Sequence, residues 1–167
     1  MKVGPDIVLY DDLTGLLRRE VFLHLAKNIL KKIFKKGGIA SVVLIDLDDL
    51  KHANDVYGHD AGDKLLRKMG LLIKKTCRQA RSPGNGFTYR DADVCARYGG
   101  DEFVILLPMT SPDKAMSLIK RIRDEADKNE LRFSFGVASA YPGMPVERAI
   151  KMADKAMYWD KYSRKGE

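Results

Sequence analysis

The hardest constraint on this chain is the order in which its hydrophobic pattern changes period. "IASVVLID" (39–46) is an unbroken, β-branched run, short enough for one strand buried on both faces. From Asp60 to about Cys77 the apolar residues Leu65, Leu66, Met69, Leu72 and Ile73 fall on one helical face. "DVCARY" (93–98) and "EFVILLP" (102–108) read as two strands around the Gly99-Gly100 pair, hence a hairpin. Residues 112–128 follow as an amphipathic helix opened by Ser111-Pro112, then a strand over 131–140 and a last helix over 145–163. Strand, helix, strand, strand, helix, strand is the α+β, ferredoxin-like βαββαβ arrangement. A further helix from Leu16 to about Lys36, ended by Gly37-Gly38, precedes it, so the core carries additional helices at both ends.

A chain of 167 residues is the size of one compact domain with a real core, here expected over residues 11–167 with 1–10 as a leader or linker remnant. The 45% hydrophobic and 32% charged shares argue against disorder. The longest apolar runs, "ASVVLI" and "FVILL", are too short to cross a bilayer, so no membrane insertion is expected. No secretory leader is legible, and Cys77 and Cys95 have no metal-type spacing, which fits a reduced, cytoplasmic setting. The net charge of +7 suggests an anionic partner. Much of the excess (Lys27, Lys31, Lys32, Lys35, Lys36) flanks apolar positions at helical spacing and reads as a solvated helix face. Without base-stacking aromatics among the cations, nucleic acid is not the expected partner.

"ARYGGDEFVILLP" (96–108) sets Asp101 and Glu102 against a stretch that must be buried. Alone, "GGDE" is also good turn chemistry and needs no ligand. Asp46, at the end of the first strand, shifts the balance, because in a ferredoxin-like sheet that end and the hairpin tip can lie side by side. Clustered carboxylates repel unless a cation neutralises them, and hard oxygen donors with substrate phosphates are what Mg²⁺ prefers. Asn54 and Asp63 flank Gly58 and Gly62 in "DLDDLKHANDVYGHDAGD" (46–63). A carboxylate can accept from N1–H and N2–H₂ of guanine, with an amide beside it, so the pair is a candidate guanine reader. An Asn in a turn and an Asp favouring a helix N-terminus are the plainer alternatives. His52 and His59 read as a surface helix position and a turn residue, and Tyr158 and Trp159 as packing the last helix on the sheet.

"RYGGDEF" (97–103), "DDLTGLLRR" (11–19), "DLDDLKHANDVYGHDAGD", "FSFGVA" (133–138) and "ADKAMYWDK" (153–161) together resemble the signatures of the GGDEF family of diguanylate cyclases, over nearly the whole chain. The resemblance implies a nucleotidyl-cyclase-like fold that condenses two GTP into cyclic di-GMP and two pyrophosphates. Each 3′-hydroxyl would attack the other nucleotide's α-phosphate across a homodimer. It implies two Mg²⁺ per site, with Mn²⁺ able to substitute, held by Asp46, Asp101, Glu102 and the Leu47 carbonyl. Asn54 and Asp63 would hold guanine, and Gly99 and Gly100 would let the backbone approach the nucleotide. Amides near Asp49 and Leu50, with Lys51, Lys161 and Lys165, would face the phosphates. Arg90 and Asp93, as an RxxD, with Arg121, would bind the product as an inhibitor. An upstream sensor or regulatory domain is the expected further partner, and a non-catalytic GTP or cyclic di-GMP receptor is the alternative reading.

Three departures from the family pattern stand out. "QARSPGNGFTY" (79–89) reads as an insertion of roughly ten residues before Arg90, long for a connection between adjacent elements. Leu50-Lys51 replaces Phe-Lys after the first strand, and Arg164-Lys165 replaces Gly-Arg after the last helix.

Overall fold

The computed structural model describes residues 9–79 and 92–164. A two-residue strand β1 (Leu17–Arg18) leads into α1 (Arg19–Lys35), followed by β2 (Ala40–Leu47), α2 (Leu50–Tyr57) and α3 (His59–Thr76). After the segment outside the described residues come β3 (Val94–Arg97), β4 (Glu102–Pro108), α4 (Pro112–Lys128), β5 (Phe133–Ala140) and α5 (Val146–Arg164). The sheet order is β1-β3-β4-β2-β5. Without β1 this is the ferredoxin-like order, with β2 central and antiparallel to both β4 and β5. β1 pairs parallel to β3 at the sheet edge.

The unbroken apolar run in β2 has a direct cause. Val43, Ile45 and Leu47 face a core with α3 and α4, while Val42 and Leu44 face a second core with α1 and α5. Both sheet faces are covered, so β2 is apolar from Val42 to Ile45, and the buried Ser41 hydroxyl is satisfied by donating to the Thr110 carbonyl at 2.8 Å. α1 buries Phe22, Ala26, Ile29, Leu30 and Ile33, the spacing of one helical stripe. α4 begins as Ser111 and Pro112 dictate, the serine side chain accepting from the Lys114 N–H at 3.5 Å.

Three local expectations change. The first helix starts at Arg19, because Leu17 and Arg18 are taken by the edge of the sheet. A separate helix, α2, occupies part of the 46–63 stretch, and α3 begins at His59, so Asp63 lies in its second turn. Tyr158 and Trp159 do not pack α5 on the sheet. Trp159 is 70% exposed and Tyr158 61%, with Ala149, Ile150, Ala153 and Met157 forming the buried face instead. Residues 79–89 fall, from Ala80 onward, outside the described residues.

Candidate active site

The site is assembled at the end of β2. Pairing with β4 puts Asp46 directly opposite Glu102, and the Leu47 N–H donates to the Asp101 carbonyl at 2.9 Å. On the other side β5 sets Ser134 opposite Asp46, and the Ser134 hydroxyl donates to Asp48 Oδ1 at 2.9 Å. α5 crosses this edge closely. A Cβ at Gly136 would overlap the Ala153 carbonyl, so only glycine lets the helix lie directly on β5. The Phe135 N–H donates to Asp160 at 3.2 Å, and the next residue, Lys161, places its Nζ 3.0 Å from Asp46 Oδ2.

The electrostatics favour a cation. Burial pushes the Asp46 carboxyl above the usual carboxylate range, the Lys161 hydrogen bond opposes this, and Asp101 and Asp48 add to the rise. Glu102 is raised by burial first, then by Asp46, Asp101 and Asp154, with Lys161 opposing. Burial leads in both groups and like charges add to it, so a bound cation would relieve the repulsion. Asp46, only 14% exposed, carries the Lys161 ammonium as its one ion pair among the described residues. The oxygen donors fit a small divalent ion. No three ligand groups among the described residues close into a ready coordination sphere, but Mg²⁺ commonly takes only one or two carboxylates and fills the rest from phosphates and water.

Asp46, Leu47, Asp49, Leu50, Lys51, Asp101 and Lys161 line a cleft of about 920 Å³. Asp49 sits at φ 62°, a left-handed position for a residue with a Cβ, and this tight corner starts α2 at Leu50. Asn54 and Asp63 lie off that lining, on α2 and α3. A Cβ at Gly62 would overlap the Asn54 side chain, so Gly62 makes the seat for the amide. Asn54 Oδ1 is buried there with no hydrogen-bond partner among the described residues, and Asp63 follows Gly62 on α3. An orphaned acceptor of this kind costs about 1–3 kcal/mol until a donor arrives.

The two glycines of the hairpin differ. A Cβ on Gly99 would lie 2.6 Å from Glu102 Oε2, so this glycine makes room for the Glu102 side chain. Gly100 has open space around it, and its carbonyl accepts from Arg97 at 2.7 and 3.1 Å. Asp93 is 3% exposed and clamped by Arg78, whose Nη2 and Nε donate to Oδ1 at 2.6 and 2.9 Å, while its backbone N–H reaches Oδ2 at 2.7 Å. Arg121 is exposed on α4 and does not line the cleft. Arg90 and Lys165 lie outside the described residues. Sequence reasoning did not single out Arg123, Arg132 and Ser134, which line the cleft; they arrive from α4, the turn before β5 and β5, and no local pattern announces them.

The family model described as "Diguanylate cyclase, GGDEF domain" matches residues 8–167. Diguanylate cyclase DgcM of Escherichia coli K12 is 34% identical over 155 residues, covering 89% of this chain and 35% of that protein. Response regulator PleD of Caulobacter vibrioides is 31% identical over 170 residues, 95% of this chain and 35% of that protein. The chain therefore spans about a third of the length of these relatives. Among solved structures, the GGDEF domain of DgcB from Caulobacter crescentus, in complex with c-di-GMP, superposes with a TM-score of 0.79 at 25% identity, covering 94% of this chain and 92% of that one. Diguanylate cyclase SiaD of Pseudomonas aeruginosa, solved with its activator SiaC, gives 0.80 at 27% identity over 93% of this chain and 59% of that one.

Proposed function

Because the chain belongs to the diguanylate cyclase GGDEF-domain family, we propose that it condenses two GTP molecules into cyclic di-GMP, one nucleotide per copy of the domain. The observation that carries this is Asp46 facing Glu102 across the β2–β4 ladder, with Lys161 on Asp46, and with Asp46, Asp101 and Lys161 lining the cleft. Two copies face each other, and each nucleotide's 3′-hydroxyl oxygen attacks the other's α-phosphorus. The α–β bridge breaks and pyrophosphate leaves, twice per cyclic product.

Each residue then has a task. Asp63 accepts from N1–H and N2–H₂ of guanine, and the Asn54 oxygen, unpartnered in its seat, takes a further donor. Glu102, set opposite Asp46 on β4, would serve the metal or receive the 3′-hydroxyl proton. Asp46, Asp101, Glu102 and the Leu47 carbonyl would hold Mg²⁺, which when bound neutralises charge on the reacting phosphoryl oxygens. Lys161, paired with Asp46, would turn to the phosphates together with Lys51, Lys165 and the amides at Asp49 and Leu50. Gly100 leaves room at the hairpin tip for the nucleotide. Inhibition by product at Arg90, Asp93 and Arg121 belongs to the same reading, with one condition: Asp93 meets a nucleotide only after Arg78 releases it. Arg90→Ala then relieves product inhibition.

The test is incubation of the chain with GTP and Mg²⁺ over a range of protein concentrations, with products separated by chromatography. Cyclic di-GMP forming with a greater than first-order dependence on protein supports the reading. GTP or cyclic di-GMP bound with no product at any concentration, including after forced dimerisation, replaces it with a receptor role.

A further inference from the structure

Three arginines of this domain are held against the sheet, and they differ in what they hold. Arg78 spends its guanidinium on Asp93, the Pro108 carbonyl at 2.9 Å and the Thr110 hydroxyl at 3.2 Å. Arg97 spends its own on Asp11 and the Gly100 carbonyl. Arg123, on α4, does neither. Its Nη2 is buried with no hydrogen-bond acceptor among the described residues. Its ion pair with Asp160 Oδ2 is 3.7 Å long, beyond hydrogen-bond reach, and that oxygen already accepts from the Phe135 N–H. Asp127, one turn further along α4, lines the same cleft but forms no ion pair with Arg123 among the described residues.

What fixes Arg123 is aromatic. Its guanidinium carbon lies 4.9 Å from the Phe135 ring centroid and 5.5 Å from that of Phe133. Held by its buried side, the group keeps 38% of its side chain exposed, and Arg123 lines the cleft that also holds Asp46, Asp101 and Lys161. Carboxylates and cations on one lining match a polyphosphate carrying a divalent ion, which presents both signs at once.

We propose that Arg123 is a binding residue for the polyphosphate of the nucleotide, and holds the pyrophosphate oxygens as they leave. The inference rests on the nucleotide reading of the cleft, and adds a cation from α4 that neither the motifs nor the family resemblance assigned. A planar fork fixed on two rings donates to phosphate oxygens without first being ordered, which a free surface lysine cannot do.

The probe is inorganic pyrophosphate with Mg²⁺, titrated calorimetrically into the whole chain, alongside steady-state turnover of GTP. Arg123→Met is expected to weaken pyrophosphate binding about tenfold or more, the loss of a charge-assisted hydrogen bond. It should also raise KM for GTP more than it lowers kcat. Should Arg123→Met fail to fold, Arg123→Lys keeps a cation over the rings without the fork, and a several-fold loss is expected. Pyrophosphate affinity within twofold of wild type in the folded variant, with only a lower Tm, overturns the proposal and leaves Arg123 a bracket between α4 and β5. Absence of pyrophosphate binding to the wild type overturns it as well. Binding that depends on Arg123 in a chain that makes no cyclic di-GMP overturns the cyclase reading alone; unchanged binding in an active cyclase overturns the Arg123 proposal alone.

Discussion

Three carboxylates near the β3–β4 hairpin sit in two opposite circumstances. Asp11 accepts from the Thr14 N–H at 2.9 Å and the Thr14 hydroxyl at 2.7 Å, and Arg97 Nη1 reaches its Oδ1 at 3.2 Å. Burial pushes its carboxyl up, but the Thr14 hydrogen bonds and Arg97 outweigh that and hold it below the usual value. Asp46 and Glu102 are also half-buried, yet face one another and Asp101 with Lys161 as the shared counter-charge, and both are raised. The first acid is one the fold uses; the others are acids the fold tolerates. A carboxylate held against its own neighbours is a better pointer to chemistry than the number of acids in a motif.

The contrast is broken most directly by removing the tolerated acids. Asp46→Ala and Glu102→Ala should each lower cyclic di-GMP formation by about a thousandfold or more, the scale of losing preorganised charge at a phosphoryl centre. Unfolding midpoints should stay level or rise, since a repelled charge has gone; wild-type turnover in either variant ends the assignment. Gly136→Ala attacks the geometry instead. The added Cβ meets the Ala153 backbone, α5 must shift, and stability should fall by about 1–3 kcal/mol in urea titrations. Turnover should fall with it, because Lys161 is carried on the displaced helix.

Asp11→Asn should cost about 2 kcal/mol, leaving Arg97 half-paired, with turnover per folded molecule little changed. The pH dependence separates the two sites by sign. Stability from Asp11 is present above the ordinary carboxylate range and is lost as pH falls through its lowered pKa. For Asp46 and Glu102 the folded state binds protons more tightly, so stability falls as pH rises from the ordinary value through the raised one. Urea curves of Asp46→Asn should therefore match wild type in acid and exceed it near neutrality, and Mg²⁺ should narrow that gap by stabilising wild type alone. The smallest effect belongs to Trp159→Ser, expected within about 0.5 kcal/mol because the ring is exposed, in contrast with the buried Ala153 and Met157 beside it.

Much of this was legible beforehand because it is written in local periodicity. The two-sided burial of "VVLI", the serine–proline start of α4 and the hairpin at the glycine pair follow from short-range rules, and they specify the βαββαβ order. The motif residues at Asp46, Asp101, Glu102 and Lys161 were legible too, and the register of β2 on β4 places the first and third opposite each other. Features made by distant segments were not. α2 is a short, mostly exposed helix that buries Ala53 alone, and β1 exists only because β3 offers an edge. Tyr158 and Trp159 look like core by composition, but α5 turns its small residues to the sheet, which Gly136 demands, and sends the rings outward.

By itself, then, the amino-acid sequence determined the order of the βαββαβ core elements and which carboxylates end up beside the hairpin, since period and turn chemistry act over a few residues. The tertiary structure alone decided what each charged group faces. That Lys161 covers Asp46, that Arg78 rather than solvent meets Asp93, and that Arg123 lines the cleft with its guanidinium stacked on Phe133 and Phe135 all depend on helices packing across a sheet. Such contacts join residues tens of positions apart, and their energies depend on burial and distance, which no local pattern encodes.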